Sequence, residues 1–454
     1  MTDRLLLAAP VLGLVALTIF ARRRSSPVDP SIVAVAMTAV VAAFFPLASS
    51  IIEPQSWRHG VHLPDESVRA AQVEYLFFAV GLCLAAMRVR LTCASAGPRT
   101  PRQRSRAAVL HRDRLVALGL VVGGGLLYAL YVWKVGFGAL TDRSNFAEKY
   151  RASSGLGALY AGINLMILGC LWAEASALPR KTLRLFRLCA AGILLWSVAF
   201  IAVRTYAVAL FLGYLYLFTK RRGFTVAKVR PSLVLALLLG YVGVESYGLM
   251  RSVWHGSVTE AASALKDELP HAERMFGQVV GGSEFSHPFI TQMELERFER
   301  PGDLGGATYA HALLGLAPLW LAPNRGPSLS QEFARRHYPD LSERGGGTAF
   351  SFVGEAWWNF GSMGGPLLVG LVFGWLLMGA ERRVRFDPDG ALQRFLPYTI
   401  HIVLLFHRNS SSSLLKLLFT VALPTALLLG GAALLWGASG RRTSLPRVQP
   451  QEAV

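Results

Sequence analysis

Hydrophobic positions along this chain gather into long unbroken runs, not into the one-sided stripes of a soluble helical protein. The runs lie near residues 5–21, 31–52, 70–87, 115–134, 156–178, 186–203, 206–219, 232–250, 365–380, 395–407 and 413–436. A helix needs about 20 apolar residues to cross a bilayer. The pattern therefore predicts an all-α polytopic integral membrane protein with about eleven transmembrane helices. The run at 206–219 is short for a full crossing, which suggests a tilted or broken helix. The first run is followed, not preceded, by the basic triplet Arg22–Arg24 and shows no small-residue cleavage site. It reads as a retained span and not as a signal peptide.

Polar positions divide the chain into an N-terminal transmembrane bundle (1–250), one large loop (251–364), a C-terminal set of transmembrane helices (365–438) and a short tail (439–454). The loop contains charged helical pieces and the semi-apolar stretch YAHALLGLAPLWLAP, which is too short to span and reads as an interfacial or re-entrant segment. No internal repeat is visible, which counts against the repeat-built transporter folds.

Charge turns this pattern into a topology. Only 16% of the residues are charged, against about 25% in soluble domains. Net charge is +18, which in a soluble protein would point to nucleic acid. Here position explains the excess. Six clusters (Arg22–Arg24, Arg88–Arg114, Arg180–Arg187, Lys220–Arg230, Arg382–Arg385 and Arg441–Arg447) hold 26 of the 46 Lys and Arg and fall between alternate runs. Placed in the cytoplasm by the positive-inside rule, they put the N-terminus outside, the C-terminus inside and the large loop outside. No nucleic-acid partner is implied; the lipid bilayer is. The four cysteines have neither disulfide nor metal spacing and read as packing residues.

The informative cations are those on the outer side, where topology demands none. Arg204 lies between two runs, Arg251 ends a span, Arg408 lies at an outer boundary and Arg325 lies in the large loop. Each one alone has a bland reading as a snorkelling side chain. Together they bring guanidinium groups to one membrane face, where planar forks suit phosphate oxygens such as those of a polyprenyl diphosphate. Among the acids, Glu245 lies inside a run, Glu284 follows two glycines, and Glu355 stands in RGGGTAFSFVGEAWWNFGSMGG beside Trp357 and Trp358. A carboxylate among aromatics has a raised pKa and suits proton acceptance from a sugar hydroxyl. The competing reading of Glu355 is an anion favoured by the dipole of the next span. The two tryptophans fit either the interfacial aromatic belt or a surface for stacking sugars. His311, His337 and His407 carry weaker signals. No acidic pair or His/Cys cluster indicates a metal, and no cofactor is implied.

VRTYAVAL, LMRSVW, GGSEFSHPF, ATYAHALLGLAPLWLAPNRGPS and GGGTAFSFVGEAWWNFGSMGG occur in that order. This series resembles the Wzy-type O-antigen polymerases, the oligosaccharide repeat-unit polymerases of bacterial surface polysaccharides. The likeness is firmest over residues 200–375. It implies a multi-span, GT-C-like glycosyltransferase of the bacterial inner membrane that works at the periplasmic face without a metal. Such an enzyme moves a growing glycan from undecaprenyl diphosphate to the free end of a new lipid-linked repeat unit. A chain-length regulator protein comes with that reading as a partner. On this resemblance Arg204, Arg251 and Arg408 would bind diphosphate, with Arg325, Glu284, Trp357 and Trp358 as further substrate contacts and Glu355 as the base. An O-antigen ligase and a transporter or flippase of lipid-linked oligosaccharide remain the alternatives.

Overall fold

The computed structural model describes residues 2–23, 25–46, 65–93, 106–141, 156–197, 204–228, 286–317, 321, 328–343, 348–387 and 390–440. Among these residues there is no strand. Helices of eight residues or more are α1 (Thr2–Ala21), α2 (Pro30–Ala39, continued by a π-turn over Val40–Phe44), α3 (Asp65–Cys93), α4 (Arg106–Val135), α5 (Gly162–Ala175), α6 (Arg180–Leu195) and α7 (Arg204–Arg221). They continue with α8 (Ser286–Phe298), α9 (Ala307–Leu314), α10 (Leu329–His337), α11 (Phe352–Phe360), α12 (Gly364–Phe386), α13 (Ala391–Phe406) and α14 (Ser411–Gly440).

Five helical stretches are long and apolar enough to cross a membrane: Asp65–Ala86, Val109–Val135, Gly157–Ala175, Gly364–Val384 and Ser411–Leu434. Ala8–Ala21, Pro30–Ala43 and Ala391–Phe406 are shorter apolar helices. The protein is thus a helical membrane protein. The run expected at 232–250 and the loop from 251 to 285 lie outside the described residues.

Two close helix pairs organise the bundle. In α3 and α12, a Cβ at Gly81 would strike the Leu367 carbonyl oxygen, and one at Gly370 the Phe78 carbonyl oxygen; at Gly374 it would lie 2.8 Å from Ala85 Cβ. In α4 and α5, a Cβ at Gly124 would sit 2.6 Å from the Gly162 carbonyl oxygen, and one at Gly169 2.9 Å from that of Ala117. Small residues let backbones touch, and in lipid that dispersion contact replaces the hydrophobic driving force between helices.

One end of the bundle is ionic. Arg22, just past α1, pairs with Glu381 near the end of α12. Lys220 at the end of α7 pairs with Asp29 at 2.9 Å. Glu174 at the end of α5 takes Arg221 at 2.6 Å and Arg187 of α6 at 2.9 Å. Asp113 of α4 takes Arg394 of α13 at 2.7 Å and Arg112 at 2.9 Å. Arg22, Arg112, Arg187, Lys220 and Arg221, from four of the basic clusters, thus each meet a buried acid, which is the arrangement expected if one membrane face collects them. Helices α11 and α12 turn at the opposite end.

There the turn between α13 and α14 sits inside the bundle. Phe406 stacks on Phe352 of α11 at 4.1 Å and on Phe373, well inside α12, at 3.5 Å. His407 Nε2 lies 3.3 Å from the Ala34 carbonyl oxygen of α2. The nine-residue α11 lies against the first turns of α12, where a Cβ at Gly365 would strike the Ala356 carbonyl oxygen.

Because the α3–α12 contact is backbone against backbone, Gly370→Leu should lower the melting temperature of the purified protein in detergent. Overpacking of this kind costs about 1–3 kcal/mol or more. Gly379→Leu, on the same helix with nothing within 4 Å, should leave the melt unchanged.

Candidate functional site

The local sequence sets up α11 before any tertiary contact is made. Ser351 caps it, its Oγ accepting from the Gly354 amide at 3.1 Å, as serine does at a helix start. Tyr75 of α3 donates to the same Oγ at 3.1 Å. At the far end Gly361 has φ 87° and leads into Met363 at φ 59°, a conformation that disfavours a side chain. Glu74 of α3 holds this turn by accepting the Met363 amide at 2.8 Å. The carbonyl oxygens of Trp357 and Trp358 accept from Gly302 and Leu304, each at 3.1 Å, which docks the chain before α9 onto α11.

Glu355 lies on the α11 face turned toward α9 and α14, with only 1% of its surface exposed. Its Oε1 accepts from Thr308 Oγ1 of α9 at 2.7 Å and from Ser411 Oγ at 2.7 Å. Its Oε2 accepts from the Ser411 backbone amide at 2.6 Å, so the carboxylate sits on the N-terminus of α14. Asn359, one turn along, completes the set. Its Nδ2 donates to Thr308 Oγ1 and to the Glu355 carbonyl oxygen, both at 2.7 Å, and its Oδ1 accepts the Thr308 amide at 3.3 Å. Burial pushes the Glu355 carboxyl above its ordinary range, while the Ser411 and Thr308 donors pull part of the way back.

Unpaired polar atoms occur on the elements that make this contact. Ser410 Oγ, His407 Nδ1 and Tyr309 Oη are buried without a hydrogen-bond partner among the described residues. Tyr309 stacks on Phe360 at 5.3 Å, and burial, helped by the nearby Glu355 charge, raises its phenol further. Buried polar atoms rarely lack partners, and each one so placed needs a reason.

The predicted site residues fall into four groups. Glu355 contacts the turn that carries Arg408, which follows α13 three residues before Ser411. Arg204 opens α7, whose Tyr206 meets Tyr160 at 6.1 Å in an aromatic series reaching Tyr131 and Tyr128. Arg251, Arg325 and Glu284 lie outside the described residues, as does Glu245. Trp357 and Trp358 are fully buried, in a cluster with Leu295, Leu329, Phe333 and Phe350. Arg336 lies 5.3 Å over the Trp358 ring. The tryptophans thus wall the back of α11, and the belt and the sugar platform expected of them are not what these surroundings provide.

Sequence reasoning passed over Thr308, Asn359, Ser411, Glu74 and Glu296. Asn359 stands four residues after Glu355, the spacing of one helix face. Glu74 lies inside an apolar run, and the rule that singles out Glu245 applies equally to it. Thr308 and Ser411 had no signal, because their importance arises only from tertiary docking. Glu296 of α8 accepts from Gln292 Nε2 at 3.0 Å, and burial, with Glu74 nearby, pushes its carboxyl up to about 7.

Comparison with protein-family models, curated proteins and solved structures gives no match.

Glu296 sets a pH dependence. Its folded-state pKa lies above the unfolded value of about 4.3, so its contribution to stability is present below pH about 4 and is lost as pH rises through about 7. Melting temperature in detergent should therefore fall between pH 5 and 8. In Glu296→Gln that part of the slope should disappear.

Proposed function

We propose that this protein polymerises undecaprenyl-diphosphate-linked oligosaccharide repeat units into a surface polysaccharide at the periplasmic face of the bacterial inner membrane. The observation that carries the reading is the buried Glu355 carboxylate, of raised pKa, set on a helix N-terminus among unpaired hydroxyls at the end of the bundle opposite the basic clusters. In this reading the chain crosses the membrane about eleven times with its N-terminus outside, and α8–α11 belong to the periplasmic loop.

The chemistry follows from the donor set. A carboxylate has about four lone-pair positions, and three of those on Glu355 are used. When the Ser411 donors pass to the donor's diphosphate, Glu355 Oε2 accepts the proton of the acceptor sugar hydroxyl. The hydroxyl oxygen forms its bond to the donor anomeric carbon as the bond from that carbon to the diphosphate breaks. The electron pair leaves with the diphosphate, whose charge is met by Arg408 and the α14 N-terminus, with Arg204, Arg251 and Arg325 contributing from the same face. Glu284 completes the substrate side of this proposal, with Trp357 and Trp358 acting from behind as the packed wall that fixes α11, and a chain-length regulator protein is its expected partner. Raised basicity is what the proton transfer requires, since a base works best with a pKa near ambient pH.

In a deletion strain of the source bacterium, loss of the gene should leave surface core carrying single repeat units. A ligase would leave no attached units, and a flippase would trap units inside. Glu355→Gln, expressed at a verified level, should reproduce the single-unit pattern, with polymer formation down about 100-fold or more. Full-length polymer from that variant would overturn the assignment of the base.

A further inference from the structure

The contact between Glu355 and α14 has an unusual feature: the helix does not use its own cap. Ser410 occupies the N-cap position, with its carbonyl oxygen accepting from the Ser413 and Leu414 amides at 3.1 and 3.2 Å. A serine there normally turns its hydroxyl onto one of the first free amides. Ser410 Oγ makes no such bond, although the residue is only 2% exposed. The Ser411 amide and hydroxyl are instead taken by a carboxylate from another helix. Tyr309 Oη, close enough to feel the Glu355 charge, is a further unpaired polar atom, and the turn carries His407 and Arg408.

A 30-residue helix presents free amides and partial positive charge at its N-terminus, the backbone arrangement that binds phosphates. At α14 that end is filled by an anion the protein supplies itself. Three serines, Ser411 to Ser413, form its first turn, and Ser410 adds a hydroxyl with no other use. These groups match the several oxygens of a phosphoanhydride better than the two of a carboxylate.

We propose that the α13–α14 turn is a diphosphate site in which Glu355 holds the ligand's place, so that the carboxylate and a bound diphosphate exclude one another. Two anions on the same Ser411 donors repel, and the incoming diphosphate displaces the carboxylate. Glu355 then loses the Ser411 bonds that moderate its basicity and turns from anchor to base. Donor binding thereby arms the residue that the polymerase reading needs. The exclusion rests on that reading only for its consequence; the anion site itself is tested by binding alone.

The full chain is purified in detergent and titrated calorimetrically with inorganic pyrophosphate and, separately, with farnesyl diphosphate. Glu355→Gln keeps the side-chain shape but removes the competing charge, and it should bind pyrophosphate about tenfold more tightly than wild type. Ser410→Ala, which removes a hydroxyl with no partner and so leaves the fold intact, should bind about tenfold more weakly. The Ser410 variant keeps the test open if Glu355→Gln fails to fold. Farnesyl diphosphate binding more tightly than pyrophosphate, with the same response to both variants, supports a site for a lipid-borne diphosphate; equal binding supports one for the free anion. Unchanged affinity in Ser410→Ala, or affinity in folded Glu355→Gln no higher than wild type, overturns the site. If both binding shifts appear while Glu355→Gln still makes full-length polymer, the anion site stands and the polymerase base falls.

Discussion

A carboxylate inside a membrane bundle must be met by a donor, because the surroundings cannot solvate it. This protein meets several of its buried acids with the starts of other helices. Glu74 of α3 accepts the Met363 amide just before α12. Glu381 of α12 accepts the Ser31 amide in the first turn of α2 at 2.8 Å. Glu355 of α11 accepts the Ser411 amide at the start of α14. Each bond satisfies an amide that its own helix cannot satisfy and ties together segments far apart in sequence. Two of the three, at Met363 and Ser411, determine how α11 sits between α12 and α14.

The two ends of the bundle have different chemistry. At one end every acid named in an ion pair meets arginine or lysine directly, and the pairs close the gaps between helix ends. At the other, Glu74 meets a backbone amide, Glu355 meets an amide and hydroxyls, and Glu296 meets an amide side chain. Burial raises the carboxyls of Glu355 and Glu296 there. In the proposed polymerase, proton transfer from a sugar hydroxyl uses that basicity.

Much of the fold was legible because membrane spans announce themselves by length and apolarity alone. The runs at 70–87, 115–134, 156–178, 365–380 and 413–436 all reappear as long apolar helices, and the basic clusters identify the helix ends that meet through ion pairs. The site was legible in part. Glu355 stood out by its glycine and aromatic setting, and both of its anticipated chemical traits are present: the raised pKa and the helix N-terminus. The helix proved to be α14 and not α12, the next in sequence, because the α11–α12 turn folds α11 back along the bundle. That reversal depends on positive φ at Gly361 and Met363 and on the Glu74 bond, none of which a hydrophobic pattern encodes. Trp357 and Trp358 misled for a related reason: composition ties tryptophan to interfaces, whereas Phe333 and Phe350 bury them here.

The proposed exchange centres on one bond, between the Glu355 carboxylate and the Ser411 amide. The most direct measurement is an experimental structure of the full chain in a lipid nanodisc with a prenyl diphosphate bound. The account predicts diphosphate oxygens within hydrogen-bonding distance of the Ser411 amide and Ser410 Oγ, with the Glu355 carboxylate moved off α14. A diphosphate bound elsewhere while Glu355 still holds Ser411 would contradict it.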